Sequence, residues 1–244
     1  MAMKPLLIVK TGETMPGLRR RRGDFEDWII DGFEGVIDDL VVAAPYRGDR
    51  LPLPEDIRGV VITGSHAMVT DQAAWSEGTK AWIPEIVTAG IPLLGICFGH
   101  QLLAHALGGR VAACAVGVEI GTVEINLRKQ AAEDILFQHL PERIHVHASH
   151  TESVVRLPRN AVLLASNTHE PHHAFAIGRA AWGLQFHPEF DADIMDTYMD
   201  EFADMVRSSG QDPDVLKQKT RETLHSRSLL KRFAEIVRDK MRKE

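Results

Sequence analysis

Cysteine is scarce in this chain, with two residues in 244, Cys97 and Cys114. So sparse a pair excludes a disulfide framework and suits a reducing compartment. Long apolar runs are missing too. The N-terminal stretch Leu6 to Val9 is too short for a signal-peptide core or a membrane span, so a cytoplasmic protein without membrane contact is expected. Positive charge is not in excess: 28 Lys and Arg face 34 Asp and Glu, a net charge of −6, which gives no electrostatic reason to expect nucleic acid. The phosphate-cradling pattern G-x-x-x-x-G-K-[ST] does not occur, so no ATP site is expected. There is no internal repeat and no low-complexity segment. With 44% hydrophobic and 25% charged residues, the composition is that of a globular protein, either one domain or one domain with an appendage.

The first 109 residues alternate between strand and helix patterns. Pro5 to Lys10 and Leu40 to Ala44 read as strands, with Phe25, Trp28, Ile29 and Phe33 at helical spacing between them. Arg19 to Arg22 is expected to be a solvated loop, although four arginines could also cradle an anion. Gly59 to Thr63 is a third strand running into Gly64 and Ser65, Trp75 to Ala89 a helix, and Ile91 to Ile96 a fourth strand. Such alternation predicts an α/β fold with a parallel sheet and helices on both faces, where ligands collect at the carboxyl ends of the strands. After Gly109 the segments shorten: Val118 to Leu127, Arg143 to Ala148, Ser153 to Leu157, Val162 to Asn167, Ala174 to Ile177 and Ala181 to Phe186 read as β-hairpins. Asp191 to Val206 follows as one helix. Residues 210–244 are charged yet carry Leu224, Leu229, Leu230, Phe233, Ile236 and Val237, which predicts a helical extension of a 1–209 domain, packed on it or on a second copy in a homodimer.

Chemistry concentrates between Ile91 and Gly109. Gly95-Ile96-Cys97-Phe98-Gly99 has the G-x-C-x-G pattern of a nucleophile elbow, a strained strand-to-helix turn that lifts the reactive atom above the sheet. A thiol there gains from the positive end of the following helix, and the Phe98 N–H is placed to donate to an oxyanion. Cys97 is therefore a candidate nucleophile, the alternative being a small buried core residue. A cysteine nucleophile needs a base, and the base an orienting group. Gly183 to Glu189, G-L-Q-F-H-P-E, supplies both: Pro188 ends the ladder, so His187 sits at a strand end with Glu189 one residue beyond, able to accept from one ring nitrogen while the other faces the thiol.

The elbow G-I-C-F-G-H-Q, the strand end H-P-E and their separation of about ninety residues resemble the class I, or triad, glutamine amidotransferases, of the GMP-synthase glutaminase type. The resemblance runs from about residue 5 to 206. It implies a flavodoxin-like fold, a mostly parallel central sheet flanked by helices, here with a β-rich second half and a C-terminal helical appendage. It also implies Cys97 as nucleophile, His187 as general base and acid, and Glu189 as its orienting partner. Thr63-Gly64-Ser65 stands where the family has a glycine pair, so the Ser65 N–H is the implied second oxyanion donor. Gly64, Gln101, Glu119 in G-V-E-I-G, and Ser149-His150 resemble the segments lining the glutamine pocket. The implied reaction is hydrolysis of the glutamine side-chain amide through a thioester, without cofactor, the ammonia going to a synthase partner in trans. A stand-alone γ-glutamyl peptide hydrolase with the same triad, and a binding module without turnover, are the competing expectations.

Two features stand apart. His145, His147 and His150 form H-x-H-x-x-H, and His169, His172 and His173 cluster later. No thiolate or carboxylate completes a metal site at short sequence spacing, so no metal is expected. Cys114, in V-A-A-C-A-V, reads as a buried structural residue.

Overall fold

The structure is a computed structural model that describes residues 4–240. Strand β1 (Leu6–Val9) leads into helices α1 (Pro16–Arg22) and α2 (Phe25–Gly32), then β2 (Leu40–Ala43). Next come β3 (Gly59–Ile62), α3 (Ala74–Thr88), β4 (Leu93–Ile96) and α4 (Phe98–Ala106). The β-rich half comprises β5 (Arg110–Ala113), β6 (Glu119–Leu127), β7 (Arg143–His150), β8 (Glu152–Arg156), β9 (Ala161–Ser166), β10 (Ala174–Ile177) and β11 (Ala181–Leu184). Helices α5 (Ala192–Glu201), α6 (Ala203–Ser208), α7 (Pro213–Lys217) and α8 (Leu224–Lys240) close the chain.

Nine strands form one mixed sheet in the order β2-β1-β3-β4-β11-β10-β9-β6-β7, while β5 and β8 pair separately. The first five are parallel and the rest antiparallel. Alternate residues of each parallel strand go to opposite faces, and both faces are covered. Leu6, Ile8, Val61, Leu94 and Ile96 join α2 and α8 in one core, whereas Leu7, Val9, Val60, Ile62 and Leu93 join α3 and α4 in another. That double burial explains why the strands read as continuous apolar runs rather than alternating ones.

The decisive pairing is between β4 and β11. They run parallel with Gly183 opposite Gly95 and Leu184 opposite Ile96, although eighty-odd residues separate them in sequence. Both strands therefore end at the same edge, and the Cys97 N–H donates to the Leu184 carbonyl at 2.8 Å. The antiparallel half returns β7 to that edge, where the His187 N–H donates to the His147 carbonyl at 2.8 Å.

Two expectations are corrected. Arg19 to Arg22 belongs to α1 rather than a loop, because Pro16 at its first turn starts a helix whose end meets acidic residues. Arg21 and Arg22 pair with Asp193, and Arg22 also with Asp191, at the N-terminus of α5, so the run is spent on the protein itself. The helix expected over residues 191–206 breaks at Phe202 into α5 and α6. The C-terminal segment takes the first of its two expected placements: Leu229, Leu230, Phe233, Ala234 and Val237 of α8 enter the same core as β1 and β3. Val237 fits over Gly59, where an added Cβ would meet it at 2.8 Å, so that glycine lets the helix approach the sheet closely.

Candidate active site

Cys97 joins β4 to α4 with φ 50° and ψ −100°, a left-handed backbone that costs free energy for a non-glycine residue. The neighbours explain why the turn is flanked by glycines. A Cβ on Gly95 would meet the Gly99 carbonyl at 2.4 Å, and one on Gly99 would meet the Ile62 carbonyl at 2.4 Å. The thiol stands at the first turn of α4, over its positive end. Its Sγ lies 3.8 Å from the Ser149 carbonyl and 3.6 Å from Gln185 Nε2.

His187 reaches the same point from the end of β11. Its Nδ1 is 2.8 Å from Glu189 Oε1, and the ring lines the same cavity as the Cys97 thiol, close enough for the two groups to act on each other electrostatically. Phe190 stacks on the imidazole with centroids 4.1 Å apart and planes 19° apart, which fixes its plane. Burial alone would strip the proton from His187. The negative charges of Glu189 and Cys97 outweigh it and hold the ring well above the ordinary histidine value, so it is an imidazolium at neutral pH. Glu189 is fully buried and its second oxygen has no hydrogen-bond partner, which directs its charge at the ring.

These groups open onto a cavity of about 120 Å3 lined by Ser65, Cys97, Phe98, Gln101, Ser149 and His150, among others. Ser65 turns its side chain away from that cavity: Oγ donates to the Thr11 carbonyl at 2.8 Å and accepts from the Ala67 N–H at 3.0 Å. The hydroxyl thus pins the turn that a second glycine would leave free. Gly64 is beside the His187 ring, where a Cβ would meet Cε1 at 2.9 Å. Gln101 braces the site from behind, donating to the Glu152 carbonyl at 2.9 Å and to Gln185 Oε1 at 3.1 Å. Glu119 is not in the wall. It lies behind His150, 2.9 Å from His150 Nε2 and 3.1 Å from His173 Nε2, and those two rings hold its carboxyl well below the usual range despite burial.

Several lining residues carried no sequence signal for a site. Tyr198 in α5 lies 3.3 Å from His66 Nε2 and 3.1 Å from Thr14 Oγ1, closing one side with Phe25, Phe202 and Met68. Burial, then repulsion from His187, lowers the His66 pKa and keeps that ring neutral. Gln185 stands inside G-L-Q-F-H-P-E, yet only the pairing of β11 with β4 shows that it faces the thiol. Among the described residues, His145 and His147 do not group with other ligands around a metal-sized space, whereas Cys114, His150 and Glu170 do.

Residues 42–204 match the family model described as glutamine amidotransferase class-I. The chain belongs to that family. Relatives include the GMP synthase [glutamine-hydrolyzing] of Porphyromonas gingivalis, 37% identical over 141 residues that cover 56% of this chain and 26% of that protein. The enzyme of the same name from Aquifex aeolicus is 29% identical over 194 residues, covering 78% of this chain and 34% of that one. The chain thus spans about a quarter to a third of the length of those curated relatives. In three dimensions it is similar to a glutamine amidotransferase of Thermotoga maritima, with TM-score 0.71, 25% identity and coverage of 96% of this chain and 100% of the other. It shares its fold with a glutamine amido transferase of Methylobacillus flagellatus, with TM-score 0.73, 22% identity and coverage of 99% and 95%. The family membership makes this chain an amidotransferase-type enzyme. Its helices say one further thing: among the described residues none is long and apolar enough to cross a membrane.

Proposed function

We propose that the chain hydrolyses the side-chain amide of free glutamine through a thioester on Cys97 and delivers the ammonia to a synthase partner in trans. The observation that carries this is the meeting of the Cys97 thiol with an imidazole whose other nitrogen is held by a buried carboxylate. In the first half-reaction the Cys97 thiolate attacks the γ-carbonyl carbon, and the Phe98 and Ser65 backbone N–H groups donate to the developing oxyanion. The C–N bond breaks as His187 passes its Nε2 proton to the departing nitrogen, which leaves as ammonia. In the second half-reaction neutral His187 takes a proton from water, the hydroxide adds to the thioester, and glutamate departs with the thiolate restored. Gln101, Ser149 and His150 lie around the bound amino acid.

Cavity size supports free glutamine. The cavity, about 120 Å3 beside the thiol, is of a scale to admit an amino acid. The partner assignment rests on relatives named GMP synthase [glutamine-hydrolyzing], of which this chain matches only part. One observation favours the γ-glutamyl peptide alternative: Met68, Phe202 and Met205 line the same cavity and offer apolar contact that ammonia cannot use. Comparing kcat/KM for glutamine with a panel of γ-glutamyl dipeptides decides between them. Glutamine is expected to lead by at least tenfold, with release of glutamate and ammonia that Cys97→Ala abolishes. A preference for the dipeptides would transfer the assignment to the peptidase.

A further inference from the structure

Behind the cavity wall lies a second cluster, which shares only His150 with the substrate cavity. Cys114, at the end of β5, His150, at the end of β7, and Glu170, in the β9–β10 connection, come from three separate segments, and one donor atom of each lies within 4.8 Å of the other two. Cys114 Sγ is 3.5 Å from His150 Nδ1. Glu170 is fully buried, and its Oε2 has no hydrogen-bond partner, while Oε1 accepts from the His172 N–H at 2.8 Å. A buried carboxylate oxygen left bare beside a thiol and an imidazole is an unsatisfied ligand set.

The surroundings agree. His150 gives its far nitrogen, Nε2, to Glu119 Oε2 at 2.9 Å, the outer-shell carboxylate that orients a metal-bound imidazole in known sites. Glu119 is itself held by Asn167 Nδ2 at 2.7 Å. Among the described residues no lysine or arginine pairs with Glu119, Glu152 or Glu170, and the ion pairs of Glu119 are with His150 and His173. Cys114 is half-exposed, which leaves one side open to water and to an arriving ion.

We propose that Cys114, His150 and Glu170 form an accessory site for a thiophilic divalent cation, Zn2+ being the best match to one sulfur, one imidazole nitrogen and one carboxylate oxygen. Three protein ligands and a water complete a tetrahedral zinc site. On binding, the Cys114 thiol and His150 Nδ1 each give up a proton to solvent, and Nδ1 exchanges its hydrogen bond to the Glu152 carbonyl, now 3.0 Å away, for the cation. Since His150 also lines the substrate cavity, the ion sits one side chain behind the site of hydrolysis.

The test uses the chelator-stripped full chain with Cys97→Ala, so that the other cysteine contributes no thiolate. Titration with Co2+ is expected to give one equivalent bound, a thiolate-to-cobalt charge-transfer absorption, and its displacement by Zn2+. Cys114→Ser added to this background should remove the absorption. Glu170→Gln, which keeps the thiol, should preserve the absorption but weaken Co2+ at least about tenfold. No charge-transfer absorption in the Cys97→Ala protein, an absorption that survives Cys114→Ser, or unchanged affinity in Glu170→Gln would each overturn the proposal.

Discussion

His187 carries its proton because two negative groups outweigh the effect of burial, and that balance makes a pH prediction. With the pKa raised, the imidazolium needed to protonate departing ammonia persists into the alkaline range, so the alkaline limb of kcat/KM lies well above the ordinary histidine value. Glu189→Gln removes the larger of the two charges, after which burial dominates. The limb should then move down toward neutrality, with kcat/KM lower by roughly a hundred- to ten-thousand-fold. An unmoved limb would show that Glu189 does not set the ring's basicity. Ser65→Ala makes the opposite kind of test. It keeps the backbone N–H and loses only the hydroxyl's links to Thr11 and Ala67, so kcat should stay within a few-fold while the loop loses about 1 kcal/mol per lost hydrogen bond. Steady-state kinetics and a thermal melt check both parts. At this scale the sequence was informative about Cys97, His187 and Glu189, since flanking glycines and a strand-ending proline are local signals. Gln185, Tyr198 and Phe190 carried none, because their roles exist only once β4, β11 and α5 meet.

The elements differ in how far their partners could be read in advance. The parallel strands were legible as apolar runs, and their boundaries shifted by only a residue or two in the structure. α1 was missed because four arginines look like a solvated stretch until Asp191 and Asp193 of α5 lie opposite them. Those pairs are largely exposed, so Arg21→Ala should change stability by less than about 1 kcal/mol in denaturant unfolding. Helix α8 is the contrary case. Its period of apolar residues was visible, but not that Phe233 and Val237 pack into the core beneath the sheet. Phe233→Ala should cost about 3–5 kcal/mol in the same measurement, and a loss below 1 kcal/mol would mean the helix is not part of the folded unit. β7 supplies a third test. Burial, then repulsion from His187, lowers the His147 pKa to about 4 against the opposing charge of Asp191. The unfolded chain takes up that proton near pH 6.5 and the folded one does not, so stability present above about pH 6.5 is lost as pH falls toward about 4. Melting temperature should fall across that window, by the equivalent of at most about 3 kcal/mol, and less steeply in His147→Gln.

Across the whole molecule, one arrangement explains the site: a parallel half-sheet ending on a single edge, and an antiparallel half returning β7 to that edge. The first half places Ser65, Cys97 and His187 together, and the second adds Ser149 and His150. Alternation of strand and helix patterns made the first half foreseeable. The second was seen only as a set of hairpins, since antiparallel strands of ordinary composition do not announce their order. Function turns on whether the Cys97 sulfur is the nucleophile that a glutamine-like ligand meets. The most direct measurement is intact-mass and peptide-level mass spectrometry after incubation with a chloroketone analogue of glutamine. One adduct per chain is predicted, on Cys97, suppressed by excess glutamine and absent from Cys97→Ala. An adduct on Cys114 in place of Cys97, or none at all in the folded protein, would contradict it.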